Sequence, residues 1–592
     1  MTRLKKTLCL ESYDCIGFDL DHTLCRYNVG PMVRLEFDLL AEFLVEKKGY
    51  DPAIRSKDFD QDLDFVCKGL TLDCERGNLL RLHYDGFVLA ACHGTKRLSD
   101  QEIERVYGRC RKQHPGHEFS RHLRENGPQK LIEFSPLLHS FMDYFDIAAP
   151  LLCARVVDVL DQINNGGKPM EEYFFWPDIH EGLKDMFLRT NFASDQGGYF
   201  PELKAHPEKY ILKRSPEFRE WLKMLRANGK YLYVITGSHF DFASHVASYA
   251  LGDDWKDLFD IVIFFARKPS FFVEKRPFWR LEGAKEVESL EGWEDLETGD
   301  YYSQGNWNDL NEFFEYATEW QPSTSLYFGD NVMQDVLAPK KFTTTVDCIA
   351  VSEELIAEGM LNHPPSHTHT KDIVSTLWGS YFFYPDSRII KKKGSVVMGR
   401  ASSFRNWSNH QQDSTGTEGR SKTPRNTTTP TSSQAMEDEV NRAMNLRRVA
   451  SLKKSDPADP TILTPSEVIQ RSSANKMTMP GSSKSFDGSV LNSGRRSDTP
   501  TQAPDDLPKS VSADSVAELV KGTDRINTLW GCLIRDYAKM CIPDLQVFVD
   551  YPIDFQFPAF GRDKNGTLVG SGFFPAEPLS LHTNVPIVCL TD

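Results

Sequence analysis

Two aspartates with a spacing of two are the first residues in the chain that could support chemistry. Asp19 and Asp21 lie in the segment FDLDHT, directly after an apolar run that begins at Cys15. Residues two apart in a strand share a face, so the two carboxylates would lie close together and repel each other. A divalent cation offsets this repulsion and acts as a Lewis acid. One carboxylate could then attack phosphorus while the other exchanges a proton with the leaving group, and an acidic turn after a strand is the alternative.

A second segment, VITGSHFDF, offers groups that suit phosphate binding. Thr236 and Ser238 carry hydroxyls, and the backbone N–H groups around Gly237 lie at the start of a predicted helix. Such N–H groups bind anions because the helix leaves them without partners. The alternative for this segment is an ordinary helix N-cap.

Two more segments add a cation and two carboxylates. In FFARKPSFF, Lys268 follows an apolar run and could neutralise phosphate charge. Arg267 is adjacent, but side chains alternate along extended chain, so both are not expected to point inward. In YFGDNVMQD, Gly329 permits a tight turn, Asp330 follows the strand directly and Asp335 lies five residues later. Carboxylate oxygens are the ligands that hard divalent cations prefer, so both aspartates are candidate metal ligands.

A parallel sheet would bring these four segments to one edge. The runs at 15–21, 231–237, 260–266 and 325–330 have the length of strands, are apolar on both faces and alternate with helical patterns. Such runs predict an α/β fold in which helices cover both faces of a parallel sheet. Open α/β sheets place their ligands at the carboxyl ends of the strands, where the polar residues of all four runs occur.

Length, charge and cysteine content limit the classes to which the protein could belong. A chain of 592 residues predicts two or more structural units. The formal net charge of -15 argues against a binder of nucleic-acid polymers or anionic membranes, because the summed field repels polyphosphate surfaces. The 12 cysteines form no CxxC pair, and no apolar stretch resembles a signal peptide or a membrane span. The expectation is a soluble, cytoplasmic protein.

The composition changes at about residue 387. Residues 387–512 are rich in Ser, Thr, Asn, Pro and Gly and contain too few apolar residues to offset the entropy of ordering, which predicts a disordered insert. Ser451 and Ser497 follow paired arginines there, so a protein kinase is a candidate partner. Residues 513–592 begin with a helical pattern and continue with strand-like runs, which predicts a segment that packs back onto the core.

The order of the four segments resembles the haloacid dehalogenase superfamily. Its members carry DxDxT, a strand that ends in Thr, then Lys, then GDxxxxD, as this chain does. The segments FDLDHTLCRY, RGNLLRLHYDGFVLAACHG, FARKPSFF, LYFGDNVMQD and LWGSYFF are similar to the cytosolic purine 5′-nucleotidase branch. Within it they are most similar to the 5′-nucleotidase domain-containing proteins, in particular those of type 1. The resemblance covers roughly residues 8–386 and, more weakly, the segment after the insert.

The resemblance implies a Rossmann-like haloacid dehalogenase core and a magnesium-dependent mechanism. Residues 1–26 and 214–386 would form the core, and residues 27–213 would form a cap between the first and second motifs. Asp19 would be the nucleophile that forms an aspartyl-phosphate, and Asp21 would be the general acid and then base. Thr236 and Lys268 would hold the transferring phosphoryl group. The ligands of Mg²⁺ would be Asp19, the backbone carbonyl of Asp21, Asp330 and, in a supporting position, Asp335.

One segment departs from the pattern of the purine nucleotidases. Where they carry DxRDAxDWxH, whose Arg, Asp and His help hold the nucleotide, this chain has His180, Lys184 and Phe187. Purine specificity is therefore not carried over. The resemblance implies hydrolysis of a small phosphate monoester, a nucleoside monophosphate, by a homo-oligomer. Phosphotransfer to a second nucleoside is one alternative, and a catalytically weak or inactive scaffold with a binding or regulatory role is the other.

Overall fold

The computed structural model describes residues 7–108, 115–128, 137–164, 167–319, 323–365, 373, 375–385, 525–562 and 570–582. The predicted disordered insert at 387–512, together with Ser451 and Ser497, lies outside these residues. The described residues before and after that stretch belong to one compact unit. Within the described ranges, no helix combines the length and the apolar character that crossing a membrane requires.

Strands and helices alternate along most of the described chain. The strands are β1 (Thr7–Leu8), β2 (Cys15–Phe18), β3 (Arg26–Tyr27), β4 (Leu70–Asp73), β5 (Asn78–Leu82), β6 (Val88–His93), β7 (Lys96–Arg97), β8 (Leu138–Ser140), β9 (Ile211–Leu212), β10 (Tyr231–Ile235), β11 (Ile261–Phe264), β12 (Phe278–Glu282), β13 (Lys285–Ser289), β14 (Tyr301–Gln304), β15 (Ser325–Gly329), β16 (Val346–Val351), β17 (Met540–Ile542) and β18 (Phe557–Pro558). The α-helices are α1 (Val29–Lys48), α2 (Asp100–Tyr107), α3 (Pro115–Asn126), α4 (Ala149–Ile163), α5 (Trp176–Met186), α6 (Arg189–Ser194), α7 (Tyr199–Ala205), α8 (Pro207–Tyr210), α9 (Pro216–Ala227), α10 (Phe240–Leu251), α11 (Trp307–Thr318), α12 (Ala338–Phe342), α13 (Glu354–Glu358) and α14 (Leu529–Tyr537), and a π-helix spans Val332–Leu337.

A nine-stranded sheet forms the centre of the fold. Its strands lie in the order β13-β12-β14-β11-β10-β2-β15-β16-β17, and every neighbouring pair from β14 to β17 is parallel. Only the edge strands β12 and β13 are antiparallel. Strands β2, β11 and β15 are buried along their whole length, as expected when both faces of a sheet are covered. The prediction of an α/β fold with a mostly parallel sheet is confirmed.

The position of β2 decides where a ligand can bind. It is the first strand of this sheet along the chain, yet it lies in the middle, between β10 and β15. The chain therefore builds the sheet outward in both directions from β2. Open α/β sheets form a binding crevice where the strand order reverses in this way, outside the carboxyl ends of the strands.

Helix α9 shows how local sequence produces the elements around the sheet. The Ser215 hydroxyl accepts a hydrogen bond from Phe218 N, and Pro216 occupies the first turn, so both the cap and the fixed proline φ favour a helix start here. The helix buries apolar residues at helical spacing and is followed by Gly229 at φ 76°. Its buried residues are Phe218, Trp221, Leu222 and Leu225.

The residues between β3 and β9 carry a sheet of their own. This five-stranded sheet has the order β7-β6-β5-β4-β8, and all its pairs are antiparallel. The chain leaves the central sheet through β3 and returns through β9, and these two strands pair with each other, Arg26 opposite Leu212 and Tyr27 opposite Ile211. Residues 27–213, which the sequence assigns to the cap, are therefore joined to the central sheet by two adjacent strands, close to the end of β2.

The residues after position 525 take part in the same sheet and contact the second one. Strand β17 extends the central sheet by pairing in parallel with β16. The indole N–H of Trp530 on α14 donates to the Gly69 carbonyl at 3.1 Å, beside β4. Trp530 is fully buried, so α14 fills the space between the two sheets.

The Glu358 side chain links pH to stability. It accepts hydrogen bonds from the Ser380 hydroxyl and Tyr381 N, each at 2.5 Å, and burial raises its pKa from 4.5 to about 7. The folded state therefore holds a proton that the unfolded state releases, so this contribution is complete below about pH 4.5 and is lost as the pH rises to about 7. The shift corresponds to a loss on the order of 3 kcal/mol.

We expect Glu358→Gln to remove this dependence, because the amide does not ionise. Urea unfolding at pH 5 and pH 8 should show a smaller fall in the free energy of unfolding for the variant than for the wild type. Glu312→Gln, at an exposed position on α11, should behave as the wild type does. An unchanged pH dependence in Glu358→Gln would contradict the assignment.

Candidate active site

The first aspartate pair lies at the carboxyl end of β2. The Asp19 N–H donates to the Phe328 carbonyl of β15 at 2.8 Å, so this residue still belongs to the sheet. His22 then adopts a left-handed backbone with φ 55°, and the chain turns directly after Asp21, as the sequence predicted. Both carboxyl groups are buried, with 7% and 8% of the residue exposed. The two carboxyl groups are therefore held in a buried position at the end of β2, where the strand order reverses.

Lys268 supplies positive charge to this edge. Its Nζ atom donates to Asp19 Oδ1 at 2.8 Å, to Asp335 Oδ1 at 2.7 Å and to the Tyr327 hydroxyl at 3.1 Å. Burial disfavours the ammonium form, but the two carboxylates outweigh it and raise the pKa of Lys268. Arg267 lies instead over the Phe265 ring, 4.8 Å from its centroid. The two neighbouring cations thus point to different places, although Arg267 has a left-handed backbone with φ 54° rather than the extended backbone assumed from the sequence.

Asp19, Asp330 and Asp335 form an acidic cluster. One carboxylate oxygen from each lies within 4.8 Å of the other two. Gly329 permits this approach, because a Cβ there would lie 2.3 Å from the Asp335 Cβ. Burial raises the pKa of Asp330 to about 7. Burial also raises the pKa of Asp19, Lys268 opposes that rise, and the neighbouring carboxylates add to it. The cluster is therefore short of positive charge.

Asp21 is fixed through both of its oxygens. The Tyr27 hydroxyl donates to Oδ1 and the Ser238 hydroxyl donates to Oδ2, each at 2.6 Å. Burial raises the pKa of Asp21, and these two hydrogen bonds limit the rise. Sequence reasoning missed Tyr27, because a tyrosine in a two-residue strand carries no motif.

The predicted phosphate-binding turn lies at the end of β10, next to β2. Thr236 N donates to the Ile263 carbonyl at 2.9 Å, and its hydroxyl oxygen accepts from Ser238 N at 3.0 Å. A Cβ on Gly237 would meet no heavy atom within 4 Å, so the turn borders open space. The side chain of His239, the N-cap residue of α10, accepts no hydrogen bond from the first turn of that helix. The turn can therefore present backbone N–H groups to an anion.

Lys68 is a second cation that sequence reasoning missed. It lies just before β4, and its Nζ donates to Asp330 Oδ2 at 2.8 Å while lying 3.8 Å from the centroid of the Tyr144 ring. The side chain is 2% exposed. A lone lysine before an apolar run gives no signal in the sequence, so only the tertiary structure reveals this contact.

The segment that departs from the purine nucleotidases is placed on α5 and just after it. The His180 ring stacks on Trp176 with centroids 5.8 Å apart, and Lys184 is exposed. Phe187 packs against Phe145, with centroids 5.6 Å apart. Of the three substituted positions, Phe187 is therefore the one that reaches the aromatic residues around His22.

Comparisons with known proteins agree with this arrangement. A family model described as the 5′ nucleotidase family matches residues 4–374, a range that includes every predicted site residue. The 5′-nucleotidase domain-containing protein 1 of Bos taurus is 36% identical over 406 residues, which cover 66% of this chain and 85% of that protein. The protein of the same description from Homo sapiens is 36% identical over 391 residues, 63% of this chain and 82% of that protein. The 5′-nucleotidase domain-containing protein 2 of Rattus norvegicus is 30% identical over 335 residues, 56% of this chain and 55% of that protein. The resemblance to the type 1 proteins is confirmed.

Removal of Lys268 tests the electrostatic arrangement directly. We expect Lys268→Met to lower the free energy of unfolding in metal-free buffer by roughly 3–5 kcal/mol, because Asp19 and Asp335 lose their buried counter-charge. Arg267→Met is the matched control and should change the value by less than about 0.5 kcal/mol. Urea unfolding followed by tryptophan fluorescence measures both. Equal stability of the two variants would show that Lys268 does not compensate the carboxylates.

Proposed function

The chain belongs to the 5′ nucleotidase family, and from this premise we propose that it hydrolyses nucleoside monophosphates with Mg²⁺ through an aspartyl-phosphate. The observation that carries the proposal is the arrangement at the carboxyl ends of β2, β10 and β15. There Asp19 accepts a hydrogen bond from Lys268, and Asp21, two residues later, accepts one from the Ser238 hydroxyl. Two further carboxylates, those of Asp330 and Asp335, lie beside Asp19. This combination provides a nucleophile, a proton donor and oxygen ligands in one place.

The residues present fit a divalent cation. Three carboxyl groups, those of Asp19, Asp330 and Asp335, share two ammonium groups, those of Lys68 and Lys268, so the carboxyl groups outnumber their buried counter-charges. Hard oxygen ligands that lack positive charge suit Mg²⁺. Asp19 and Asp330 would hold it together with the Asp21 backbone carbonyl, and Asp335 would support them. When bound, it offsets charge on the phosphoryl oxygens and acts as a Lewis acid.

The first half of the reaction uses both aspartates of FDLDHT. A carboxylate oxygen of Asp19 attacks phosphorus, and the bond from phosphorus to the alcohol oxygen breaks as the new bond forms. Asp21 donates a proton to that departing oxygen, a role that suits a carboxyl group whose pKa is raised by burial. Lys268 and the N–H groups around Gly237 would stabilise the charge on the transferring phosphoryl group.

The second half returns the site to its starting state. Asp21, now a carboxylate, removes a proton from a water molecule that attacks phosphorus. The bond between phosphorus and Asp19 breaks, orthophosphate leaves, and Asp21 is again protonated. The Tyr27 and Ser238 hydroxyls hold Asp21 in place through both steps. The net change is the phosphate ester and water giving the alcohol and orthophosphate.

The first test is phosphate release from a panel of nucleoside and sugar monophosphates. The wild type should release phosphate with Mg²⁺ and not with a chelator, and Asp19→Asn should lose at least about a thousandfold in kcat, because the amide does not attack phosphorus. Asp253→Asn, at an exposed position, is the control and should retain wild-type rates. Equal release by wild type and Asp19→Asn would point to contamination. No release from folded, Mg²⁺-binding protein would favour the scaffold alternative, and products carrying the phosphate on an added nucleoside would favour phosphotransfer.

A second test separates the role of Asp21 from that of Asp19. Asp21→Asn cannot donate the proton, so the loss in kcat/KM, which reports the steps up to release of the alcohol, should be large for esters of poorly acidic alcohols, such as nucleoside monophosphates. The loss should be much smaller for p-nitrophenyl phosphate, whose leaving group needs no proton. The ratio of the two losses, measured under saturating Mg²⁺, is the readout. Equal losses with both esters would argue that Asp21 acts only structurally.

A further inference from the structure

The His22 ring lies between two tyrosines in the turn after β2. Its centroid is 4.5 Å from that of Tyr27 and 4.5 Å from that of Tyr144, with interplanar angles of 30° and 37°. At such distances aromatic rings attract each other in offset arrangements. Phe145 contacts His22 and Tyr27 in T-shaped geometry, with centroids 5.1 and 5.6 Å away. The four rings therefore form one packed group, in which His22 contacts the other three.

The two tyrosines connect this aromatic group to carboxyl groups of the proposed mechanism. The Tyr27 hydroxyl donates to Asp21 Oδ1 at 2.6 Å. Lys68 Nζ lies 3.8 Å from the centroid of the Tyr144 ring, and the same atom donates to Asp330 Oδ2 at 2.8 Å. One tyrosine thus holds the proton donor of the proposed mechanism, and the other lies beside the cation that binds a proposed metal ligand.

The faces of the His22 ring make these contacts, and its nitrogens do not. Neither Nδ1 nor Nε2 has a hydrogen-bond partner among the described residues, and the residue is 1% exposed. A histidine that transfers protons or binds a metal needs a nitrogen within reach of the group on which it acts. The contacts therefore favour a role for the flat ring as a packing surface.

The backbone of His22 indicates that its position is constrained. Its φ of 55° lies in the left-handed region, which is unfavourable for residues other than glycine. Such a conformation persists where the surrounding structure holds the residue in place, and it occurs preferentially at active sites. The turn after Asp21 therefore keeps the ring between the two tyrosines at a cost in backbone energy.

We propose that His22 is a positioning residue: its ring holds Tyr27 in place, and the Tyr27 hydroxyl in turn fixes Asp21 where it transfers the proton. This inference rests on the proposed hydrolysis and adds a residue to that site. His22 acts through its ring, and neither of its nitrogens takes part in the reaction. Without the ring, Tyr27 is free to move and Asp21 keeps only the hydrogen bond from the Ser238 hydroxyl. Proton transfer to the departing oxygen then slows more than the attack of Asp19 on phosphorus.

Two substitutions separate the ring of His22 from its nitrogens. His22→Phe keeps a flat ring and removes both nitrogens. His22→Asn keeps hydrogen-bonding groups and tolerates the left-handed backbone, but it removes the ring. With nucleoside monophosphates we expect His22→Phe to stay within about threefold of the wild-type kcat/KM and His22→Asn to lose at least about tenfold, because a misplaced proton donor is inefficient. Equal values for the two variants, or a higher value for His22→Asn, would overturn the inference.

The leaving group separates positioning of Asp21 from a general disturbance of the fold. p-Nitrophenyl phosphate needs no proton on its leaving group, so its kcat/KM in His22→Asn should fall by less than about threefold. Equal losses with both esters would show a structural role alone and would overturn the inference. His22→Leu, which also lacks a flat ring, should give the same pattern and replaces His22→Asn if that variant does not fold. His363→Leu, at an exposed position, is the control and should keep wild-type values with both esters.

A double-mutant cycle tests whether the effect passes through Tyr27. In the Tyr27→Phe background the hydroxyl that binds Asp21 is absent, so adding His22→Asn should change the ratio of the two kcat/KM values by less than about twofold. A change as large as in the wild-type background would show that His22 acts by another route and would overturn the inference. Failure of the wild type to hydrolyse any ester, p-nitrophenyl phosphate included, would overturn the proposed function as well, whereas each outcome above leaves it standing.

Discussion

The rest of the site depends on keeping four carboxyl groups together in a buried place. Buried charges are costly unless they are paired, and the site pairs them in two ways. Lys268 bridges Asp19 and Asp335 from β11, and hydroxyl groups on Tyr27 and Ser238 hold Asp21. Ser238 and Lys268 follow β10 and β11 of the central sheet, whereas Tyr27 lies on β3 of a separate two-stranded sheet. The site therefore depends both on the order of strands around β2 and on the place where the chain leaves the central sheet. The remaining deficit of positive charge is the feature on which the proposed cation binding rests.

A second ionic group connects this edge to the end of the chain. The Asp544 carboxylate accepts from Arg214 at 2.7 and 2.8 Å and from Arg26 Nε at 2.9 Å. Arg214 also donates to the Thr23 carbonyl at 2.6 Å and to the Leu24 carbonyl at 2.7 Å, in the turn that follows Asp21. Asp544 thus binds Arg26 and Arg214, which lie where the chain leaves the central sheet and where it returns. Arg214 in turn binds the turn that follows Asp21. Asp544 therefore helps to fix the turn that follows Asp19 and Asp21.

The sequence predicts what is local and fails where contacts cross the chain. Asp19, Thr236, Lys268 and Asp330 each follow an apolar run, and parallel strands with polar carboxyl ends give both their positions and their meeting place. Lys68 contacts Asp330 across 262 positions, and no periodicity or spacing relates two residues so far apart. The contacting residues that the sequence did not predict, Tyr27 and Lys68, lie in the stretch from β3 to β9. The approach of this stretch to the central sheet depends on tertiary packing.

That stretch also contributes to the electrostatics of the site. Tyr27 lies on β3 at its entrance and binds Asp21, and Lys68 lies further along it and binds Asp330. A movement of residues 27–213 away from the sheet would remove the Lys68 charge from a cluster that already lacks positive charge. The approach of this stretch is therefore favoured by the same carboxylates that are the proposed ligands of the cation.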